Sequence, residues 1–194
     1  GNVGAALARN LVARGERVAF GVPDPDKYRD LAASLGAQLG SVAEAIDGAG
    51  IVVLAVPYAA ALQVAAGIDD WQGRILVDAT NPLAPGLAGL TVGTTDSAAE
   101  RIAAAARNAR VVKAFNTTGA ENMADPARLA VPVFMPVASD AAEARATVLA
   151  LATRMGFDAV DAGPLRAARY LEPFAMTWVH LAFAAGSSTP PPTI

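Results

Sequence analysis

The 194-residue chain contains no cysteine and one histidine, and only 17% of its residues are charged. Without cysteine, disulfide bonds, thiolate catalysis and cysteine-ligated metals are excluded. A single histidine and few clustered carboxylates leave little material for another kind of metal site. The net charge of −3 gives no reason to expect nucleic acid or an anionic membrane as a partner. Apolar residues are plentiful at 54%, enough for one sizeable core.

Two long stretches lack charge, so each must be considered as a membrane segment. Residues 48–68 match the length of a spanning helix, about 20 residues. Pro57 divides them into a β-branched part and a helical part, which predicts a strand, a turn and a helix. The residues after Glu172 include Trp178 and His180 and end in a Ser/Pro-rich segment. We expect a helix there, and a cytoplasmic protein that contacts no membrane.

Short β-branched runs alternate with helical patterns along the chain. The predicted strands cover residues 17–22, 51–56, 74–79, 110–114, 131–137 and 158–162. The predicted helices cover residues 5–15, 26–35, 41–47, 58–66, 97–107, 140–155 and 165–184, two of them opened by capping boxes at Ser41/Glu44 and Ser97/Glu100. This alternation predicts an α/β fold of the Rossmann type, a doubly wound parallel sheet with a small C-terminal α/β extension. We expect a dinucleotide-binding core over residues 1–117, an extension packed on it over 118–184, and a loose tail over 185–194.

The chain opens on Gly1-Asn2-Val3-Gly4, which leads directly into a helical pattern. Gly1 and Gly4 have the spacing of the last two glycines of the dinucleotide fingerprint G-x-G-x-x-G. On that interpretation the first glycine and the first strand of the fold are missing from the sequence. We then expect the chain as given to bind a dinucleotide poorly. The alternative is that the glycines only allow tight packing at the start of a helix.

Residues 23–27 lie about 20 positions past these glycines, where dinucleotide folds bind the ribose. Asp24 could accept from a ribose 2′-hydroxyl, and Lys27 could bind a 2′-phosphate. An ordinary proline-rich turn explains the same residues.

Three further predicted strands are each followed by a turn with polar or ring-bearing residues. The turns are Pro57-Tyr58, residues 80–83 and residues 115–118. Because the carboxyl ends of parallel strands meet at one edge of a sheet, these turns and the glycine turn predict a shared binding cleft.

Six segments, in this order, resemble the NADPH-dependent deazaflavin-coenzyme (F420) reductases, within the wider pyrroline-5-carboxylate-reductase-like NADP-binding superfamily. They are Gly-Asn-Val-Gly at 1–4, Ala-Val-Pro at 55–57, Asp-Ala-Thr-Asn-Pro-Leu at 78–83, Val-Lys-Ala-Phe-Asn-Thr at 112–117, Asp-Ala-Gly-Pro-Leu at 161–165 and Ala-Arg-Tyr-Leu-Glu-Pro at 168–173. These enzymes transfer hydride between NADP and 8-hydroxy-5-deazaflavin. The resemblance extends from Gly1 to about Phe183.

The resemblance implies a set of NADP(H) contacts and a pocket for the second redox partner. The implied cofactor contacts are Gly1, Asn2, Val3, Gly4, Val22, Pro23, Lys27, Ala55, Val56, Pro57, Asn81 and Ala114. The implied hydride-transfer pocket comprises Pro57, Asn81, Pro82, Asn116 and Thr117, bordered by Leu83, with no certain catalytic side chain. Family members often carry Ser-Arg or Val-Arg where this chain has Val22-Pro23, so an arginine is lost while Lys27 is kept. We expect NADP rather than NAD.

Several single residues allow more ordinary interpretations. Lys113 either extends its ammonium to solvent from a strand end, the commoner arrangement, or neutralises a phosphate. Arg169 and Glu172 have the spacing of an i, i+3 ion pair. His180 beside Trp178 is expected to be packed or partly exposed rather than catalytic.

The last predicted helix carries Tyr170, Phe174, Trp178 and Leu181 near helical spacing, which predicts a core face or a homodimer face. Pro173 predicts a kink or a break in this helix.

Three functional classes remain open. Hydride transfer between NADP(H) and a deazaflavin or flavin-like coenzyme requires no acid or base side chain, which agrees with the residues present. A reductase of a small imine or carbonyl compound would need a proton donor, and the candidates are Tyr58, Lys113, Thr117 and His180. The third class is a non-catalytic NADP-binding module.

Overall fold

The computed structural model describes residues 1–184, which form alternating helices and strands. The strands are β1 (Ala19–Gly21), β2 (Gln38–Gly40), β3 (Ile51–Leu54), β4 (Ile75–Asp78), β5 (Arg110–Lys113), β6 (Phe134–Ala138) and β7 (Asp158–Gly163). The α-helices are α1 (Asn2–Ala13), α2 (Arg29–Leu35), α3 (Val42–Asp47), α4 (Tyr58–Gly67), α5 (Ala98–Ala105), α6 (Ala120–Ala124), α7 (Ala142–Arg154) and α8 (Ala168–Val179). Short 3₁₀ turns lie at Asp26–Tyr28, Pro85–Leu87, Pro126–Arg128 and Leu165–Ala167, and a π-helical turn follows α8 at His180–Ala184. The predicted loose tail, 185–194, lies outside the described residues.

The strands belong to two sheets. Strands β3 to β7 form one sheet in that spatial order, and β1 pairs with β2 in a separate two-stranded sheet. Most pairs are parallel, which confirms the predicted fold class, and the register places Leu54 opposite Asp78 and Asp78 opposite Lys113.

One pair departs from the predicted parallel arrangement. Strand β6 runs antiparallel to β5 through a single pairing, Lys113 with Ala138, and β7 is parallel to β6. An antiparallel neighbour needs no crossover back to the starting edge. The connection from β5 to β6 accordingly contains only the five-residue helix α6 and a 3₁₀ turn. Helix α6 and strand β2 were not predicted, since so short an element carries no measurable periodicity.

The large sheet is covered on both faces because successive residues of a strand point to opposite sides. In β4, Val77 packs with the cluster beneath α1 and α7, while Leu76 packs with the cluster beneath α4 and α5. Strand β5 divides in the same way, with Val112 in the first cluster and Val111 in the second. All four β4 side chains are buried, including Asp78. A polar residue in this position requires partners within the protein.

Two helix starts were predicted from capping boxes, and one is complete. Ser41 and Glu44 cap α3 reciprocally, as predicted. At α5 the Ser97 side chain accepts from the Glu100 N–H at 3.1 Å, but the Glu100 carboxylate forms its ion pair with Arg169. The second capping box is therefore only half formed, since the Glu100 carboxylate accepts from the Ser97 hydroxyl and from Arg169.

Helix α8 differs from its predicted form. It continues through Pro173 without the predicted break. Its buried face consists of Ala168, Glu172, Ala175 and Val179. The core interpretation of the predicted apolar face is wrong at Tyr170 and Leu181, which are 67% and 41% exposed, and the homodimer alternative stays a prediction. The α8 side chains that bond to α5 are Arg169, through Glu100, and Glu172, through the Ala98 and Ala99 N–H groups. Within residues 1–184, no helix combines the length and apolar character needed to cross a bilayer.

Candidate functional site

A cleft of about 520 Å³ opens where α1 begins and where β3 and β4 end. Its volume lies within the range of small-molecule sites, roughly 300–1,000 Å³. Its lining comprises Gly1, Asn2, Val3, Ala55, Val56, Pro57, Ala79, Thr80, Asn81 and Leu83. Ala79 had been given no binding role from the sequence, and Thr80 was predicted only as part of the turn at residues 80–83. The others lie together, at the edge of the sheet where the sequence predicted a cleft.

The first wall of the cleft is the beginning of α1. Gly1 is the N-cap residue and no side chain caps the helix. The first-turn N–H groups and the positive end of the helix dipole favour an anion at such a terminus. A Cβ added to Gly1 would meet nothing within 4 Å. Gly1, Asn2 and Val3 of this terminus line the cleft.

Gly4 packs on the end of β3, but its contact is not crowded. A Cβ built on Gly4 would lie 3.5 Å from the Cβ of Ala55, an ordinary van der Waals distance. The structure thus leaves room for an alanine at the position of the fingerprint's third glycine.

The segment predicted to bind the 2′-phosphate contributes no residue to the cleft lining. The Val22 N–H donates to the Gly40 carbonyl at 3.2 Å, and Pro23 is exposed. Lys27 is exposed on the 3₁₀ turn after β1, with its Nζ 5.9 Å from the centroid of the Tyr28 ring. Arg29, two residues on, forms an ion pair with Asp26. The role of this segment stays a prediction.

The loops after β4 and β5 are joined by a pair of asparagines. Asn81 Nδ2 donates to the Asn116 carbonyl at 2.9 Å, and Asn116 Nδ2 donates to Asn81 Oδ1 at 3.0 Å. Asn116 Nδ2 also donates to the Leu171 carbonyl of α8 at 3.2 Å. Asn81 faces the cleft, whereas four predicted site residues are buried outside its lining: Pro82, Ala114, Asn116 and Thr117.

Phe115 turns the chain between β5 and Asn116 in an unusual conformation. Its φ of 59° lies in the left-handed region, and its side chain is 1% exposed. For a residue with a bulky side chain this conformation costs about 1–2 kcal/mol, and such strain concentrates at functional sites. The N–H of Phe115 donates to Met135 Sδ at 3.1 Å. Nothing in the sequence signals this conformation.

Three polar atoms on the same loops have no hydrogen-bond partner among residues 1–184. They are Thr80 Oγ1, Asn116 Oδ1 and Thr117 Oγ1, and their residues are at most 4% exposed. More than about 90% of buried polar groups in proteins are hydrogen-bonded, so unpaired ones call for a water or a ligand. Their concentration beside the cleft supports the interpretation of this edge as a binding region.

Behind these loops lies a buried ion cluster formed by Lys113, Asp78 and Glu172. Lys113 Nζ is 2.9 Å from Asp78 Oδ2 and 2.9 Å from Glu172 Oε1, and it donates to the Thr80 carbonyl at 2.7 Å. All three side chains are shielded from solvent. The expectation that the Lys113 ammonium reaches solvent is therefore wrong, because two carboxylates and a carbonyl surround it.

The predicted Arg169–Glu172 pair is also absent from the structure. Arg169 instead donates two hydrogen bonds to Glu100, at 2.8 and 2.7 Å, and so joins α8 to α5. The hydrogen bond from Arg169, with a second from Ser97, holds the pKa of the Glu100 carboxyl below its usual value. Helical spacing allows an i, i+3 contact, but each side chain has a better partner on another element. His180 is exposed on the turn after α8, outside the cleft lining.

Comparison with known proteins identifies the family. Residues 1–82 match the profile of the NADP oxidoreductases, coenzyme F420-dependent. A protein from Arthrobacter sp. FB24, described as a candidate F420-dependent NADP reductase, is 30% identical with a TM-score of 0.84; the match covers 100% of this chain and 95% of that one. The chain belongs to this family. The resemblance and the NADP-binding Rossmann-like fold predicted from the sequence are thereby confirmed.

Three further proteins are similar to this chain in sequence or in fold. A hypothetical protein from Sinorhizobium meliloti is 27% identical over 90% of this chain and 86% of that chain, with a TM-score of 0.81. Metalloreductase STEAP3 of Rattus norvegicus is 31% identical over 172 residues, which cover 89% of this chain and 34% of that protein. The chain thus spans about a third of that relative. An imine reductase from Aspergillus terreus, in complex with NADPH4 and dibenz[c,e]azepine, has a TM-score of 0.70 at 18% identity, covering 95% of this chain and 60% of that one. That likeness shows the fold alone.

Proposed function

We propose that this protein is an oxidoreductase that transfers hydride between NADP(H) and an 8-hydroxy-5-deazaflavin or similar flavin-like coenzyme. The observation that carries the proposal is the cleft, which joins the uncapped start of α1 to the segments that follow β3 and β4. Membership of the F420-dependent NADP oxidoreductases supports the choice of both substrates.

The dinucleotide would lie with its pyrophosphate at Gly1 and Asn2. The α1 N–H groups there are suited to a dianion. Ala55, Val56 and Pro57 form the wall beyond this terminus, and they are apolar apart from their backbone. An apolar wall next to an anion site suits a ligand with a charged middle and a flat ring at its end. Lys27 on the turn after β1 is our candidate for the 2′-phosphate contact.

The chemistry required of the side chains is small. NADPH supplies the hydride when bound, and the protein must hold two flat rings together and keep water out. Pro57, Asn81 and Leu83 border the part of the cleft that would do this. None of these three side chains titrates near neutral pH, so we expect no acid or base group of the protein to limit the rate.

The structure counts against the imine or carbonyl alternative at two of its candidate proton donors. All three donor positions of the Lys113 ammonium are occupied, by Asp78, Glu172 and the Thr80 carbonyl. His180 does not line the cleft. Lys113 and His180 are thus poor proton donors for that alternative, whereas Tyr58 and Thr117 stay candidates.

The test is NADPH-driven bleaching of oxidised 8-hydroxy-5-deazaflavin by the purified protein, with NADH in parallel and a simple flavin as a second acceptor. Turnover that is faster with NADPH is the expected result. Turnover only with a small imine or carbonyl acceptor would overturn the proposal in favour of that class. NADPH binding without turnover of any acceptor would indicate a non-catalytic module.

A further inference from the structure

Lys113 is the centre of a network that reaches the cleft from behind. Its ammonium donates to Asp78 Oδ2 on β4 and to the Thr80 carbonyl two residues later. Asp78 Oδ1 accepts from the Thr80 N–H at 2.9 Å. The Thr80 peptide groups are thus held on both sides by one buried ion pair. Thr80 lines the cleft, and Asn81 next to it does so too.

Glu172 connects this network to two helices. Its Oε1 contacts Lys113 Nζ at 2.9 Å and accepts from the Ala99 N–H at 3.2 Å, while its Oε2 accepts from the Ala98 N–H at 2.9 Å. Glu172 therefore caps the N-terminus of α5 from α8, where the helix dipole favours a negative charge. Through this one carboxylate, α8 and α5 are fixed relative to the β4 loop.

A second path joins α8 to the cleft loop. Asn116 donates to Asn81 Oδ1 and to the Leu171 carbonyl, the residue before Glu172 in α8. The left-handed Phe115 turns the chain from Lys113 toward Asn116. Two adjacent residues of α8 thus hold two adjacent residues of the cleft loop. A cluster that served only to fill the core would not need two separate sets of contacts between α8 and the cleft loop.

General energetics also argue against a purely structural role. Buried ion pairs contribute little net stability, and replacing them with apolar residues of similar volume is often neutral or stabilising. Lys113 and Glu172 lie where apolar side chains would pack, yet both are retained beside the cleft. Their hydrogen bonds fix the orientation of the Thr80 peptide groups, which apolar side chains could not do.

We propose that Lys113 is a positioning residue for hydride transfer, which through the Thr80 carbonyl holds the Asn81 side of the cleft at a fixed distance from α8. This inference rests on the proposed hydride transfer for its kinetic consequence. The geometric part, that Lys113 fixes the loop at residues 79–83, is independent of the reaction.

The test compares two double variants of the purified protein. Lys113→Met/Glu172→Gln removes the ammonium and one carboxylate charge, so the cluster keeps its formal charge of −1 on Asp78. Glu100→Gln/Arg169→Met is the matched control, since it removes another ion pair between α5 and α8 that does not touch Thr80. The single Lys113→Met variant leaves two buried carboxylates unpaired, and we expect it to be the least stable of the three.

Three quantities are measured for each protein: the melting temperature, amide hydrogen exchange over residues 79–83, and the kinetics with NADPH and deazaflavin. For Lys113→Met/Glu172→Gln we expect about tenfold faster exchange in that loop and kcat at least tenfold lower, with the Kd for NADPH within threefold of wild type. The control should keep both exchange and kcat within twofold. A double variant that is folded, with wild-type loop exchange and wild-type kcat, would overturn the proposal. If the wild-type protein lacks turnover, the proposed function fails, and the exchange data alone decide whether Lys113 positions the loop.

Discussion

Lys27 is the residue on which discrimination between NADPH and NADH depends in this account. It is exposed after β1, whereas the nearby Arg29 is paired with Asp26. Lys27→Ala should raise the Kd for NADPH about fivefold, since an exposed charge contact contributes about 1 kcal/mol. The Kd for NADH should not change.

Fluorescence titration with the two cofactors measures this difference, and Arg29→Ala is the control. An equal loss of affinity for NADPH and NADH would show that Lys27 does not read the 2′-phosphate. A loss of affinity for NADPH alone in Arg29→Ala would show that Arg29, rather than Lys27, contacts the 2′-phosphate.

Gly4 in α1 and Gly21 in β1 should respond oppositely to alanine. At Gly4 the new Cβ lies at an ordinary distance from Ala55, and alanine is the better helix former. Gly4→Ala should therefore stabilise the protein by about 0.5–1 kcal/mol. At Gly21 the new Cβ would lie 2.9 Å from the Ala45 Cβ and 3.1 Å from the Val42 Cα, so Gly21→Ala should destabilise it by about 1–3 kcal/mol. Urea unfolding of both variants checks the prediction, which fails if the two shifts have the same sign.

At the scale of elements, the Glu100–Arg169 pair gives the contact between α5 and α8 a pH dependence. The pKa of Glu100 is lowered in the folded state, so its contribution is complete above the unfolded pKa of about 4.3 and is lost as pH falls through the lower folded value. Arg169→Met should cost about 1 kcal/mol at neutral pH. The difference from wild type should shrink below about pH 4.

Urea unfolding at a series of pH values measures that difference, with Arg17→Met as a control at an exposed arginine. A gap between wild type and Arg169→Met that stays constant down to pH 3 would contradict an ionic origin. A similar gap in the control would point to a general effect of removing positive charge.

The elements that the sequence predicted well are those with strong local patterns. The strand at Ile51–Leu54 and the helix at Tyr58–Gly67 follow from β-branched residues, a proline and a helical run. The capping box at Ser41 and Glu44 is likewise complete within four residues. The direction of β6 could not be predicted in this way, because it depends on a pairing between distant segments.

The candidate site shows the same division. The turns around the cleft were predictable because parallel strands end at one edge and the motifs resemble a known family. The partners of Lys113, Arg169 and Glu172 were not, because each lies on another element far along the chain. Spacing along α8 suggested an Arg169–Glu172 pair. In the structure Arg169 pairs with Glu100, and Glu172 pairs with Lys113.

At the scale of the whole molecule, the family and the NADP-binding Rossmann-like fold are established, while several expectations about the protein stay predictions. The division at residue 117, the homodimer expected from the apolar last helix, and the cytoplasmic location belong to the second group. The choice of deazaflavin as the redox partner rests on the proposed function.

The central claim is that the start of α1 binds the pyrophosphate of NADP(H), and a single added charge tests it. Asn2→Asp places a carboxylate in the first turn of α1. There it interacts favourably with the helix dipole but repels a phosphate. Gln63→Glu adds the same charge on the exposed face of α4. The measurement is the Kd for NADPH by isothermal titration calorimetry for both variants and the wild type. We expect Asn2→Asp to weaken binding at least tenfold without loss of stability, and Gln63→Glu to bind as the wild type does. Unchanged affinity in Asn2→Asp would contradict the account, since the pyrophosphate would then lie elsewhere.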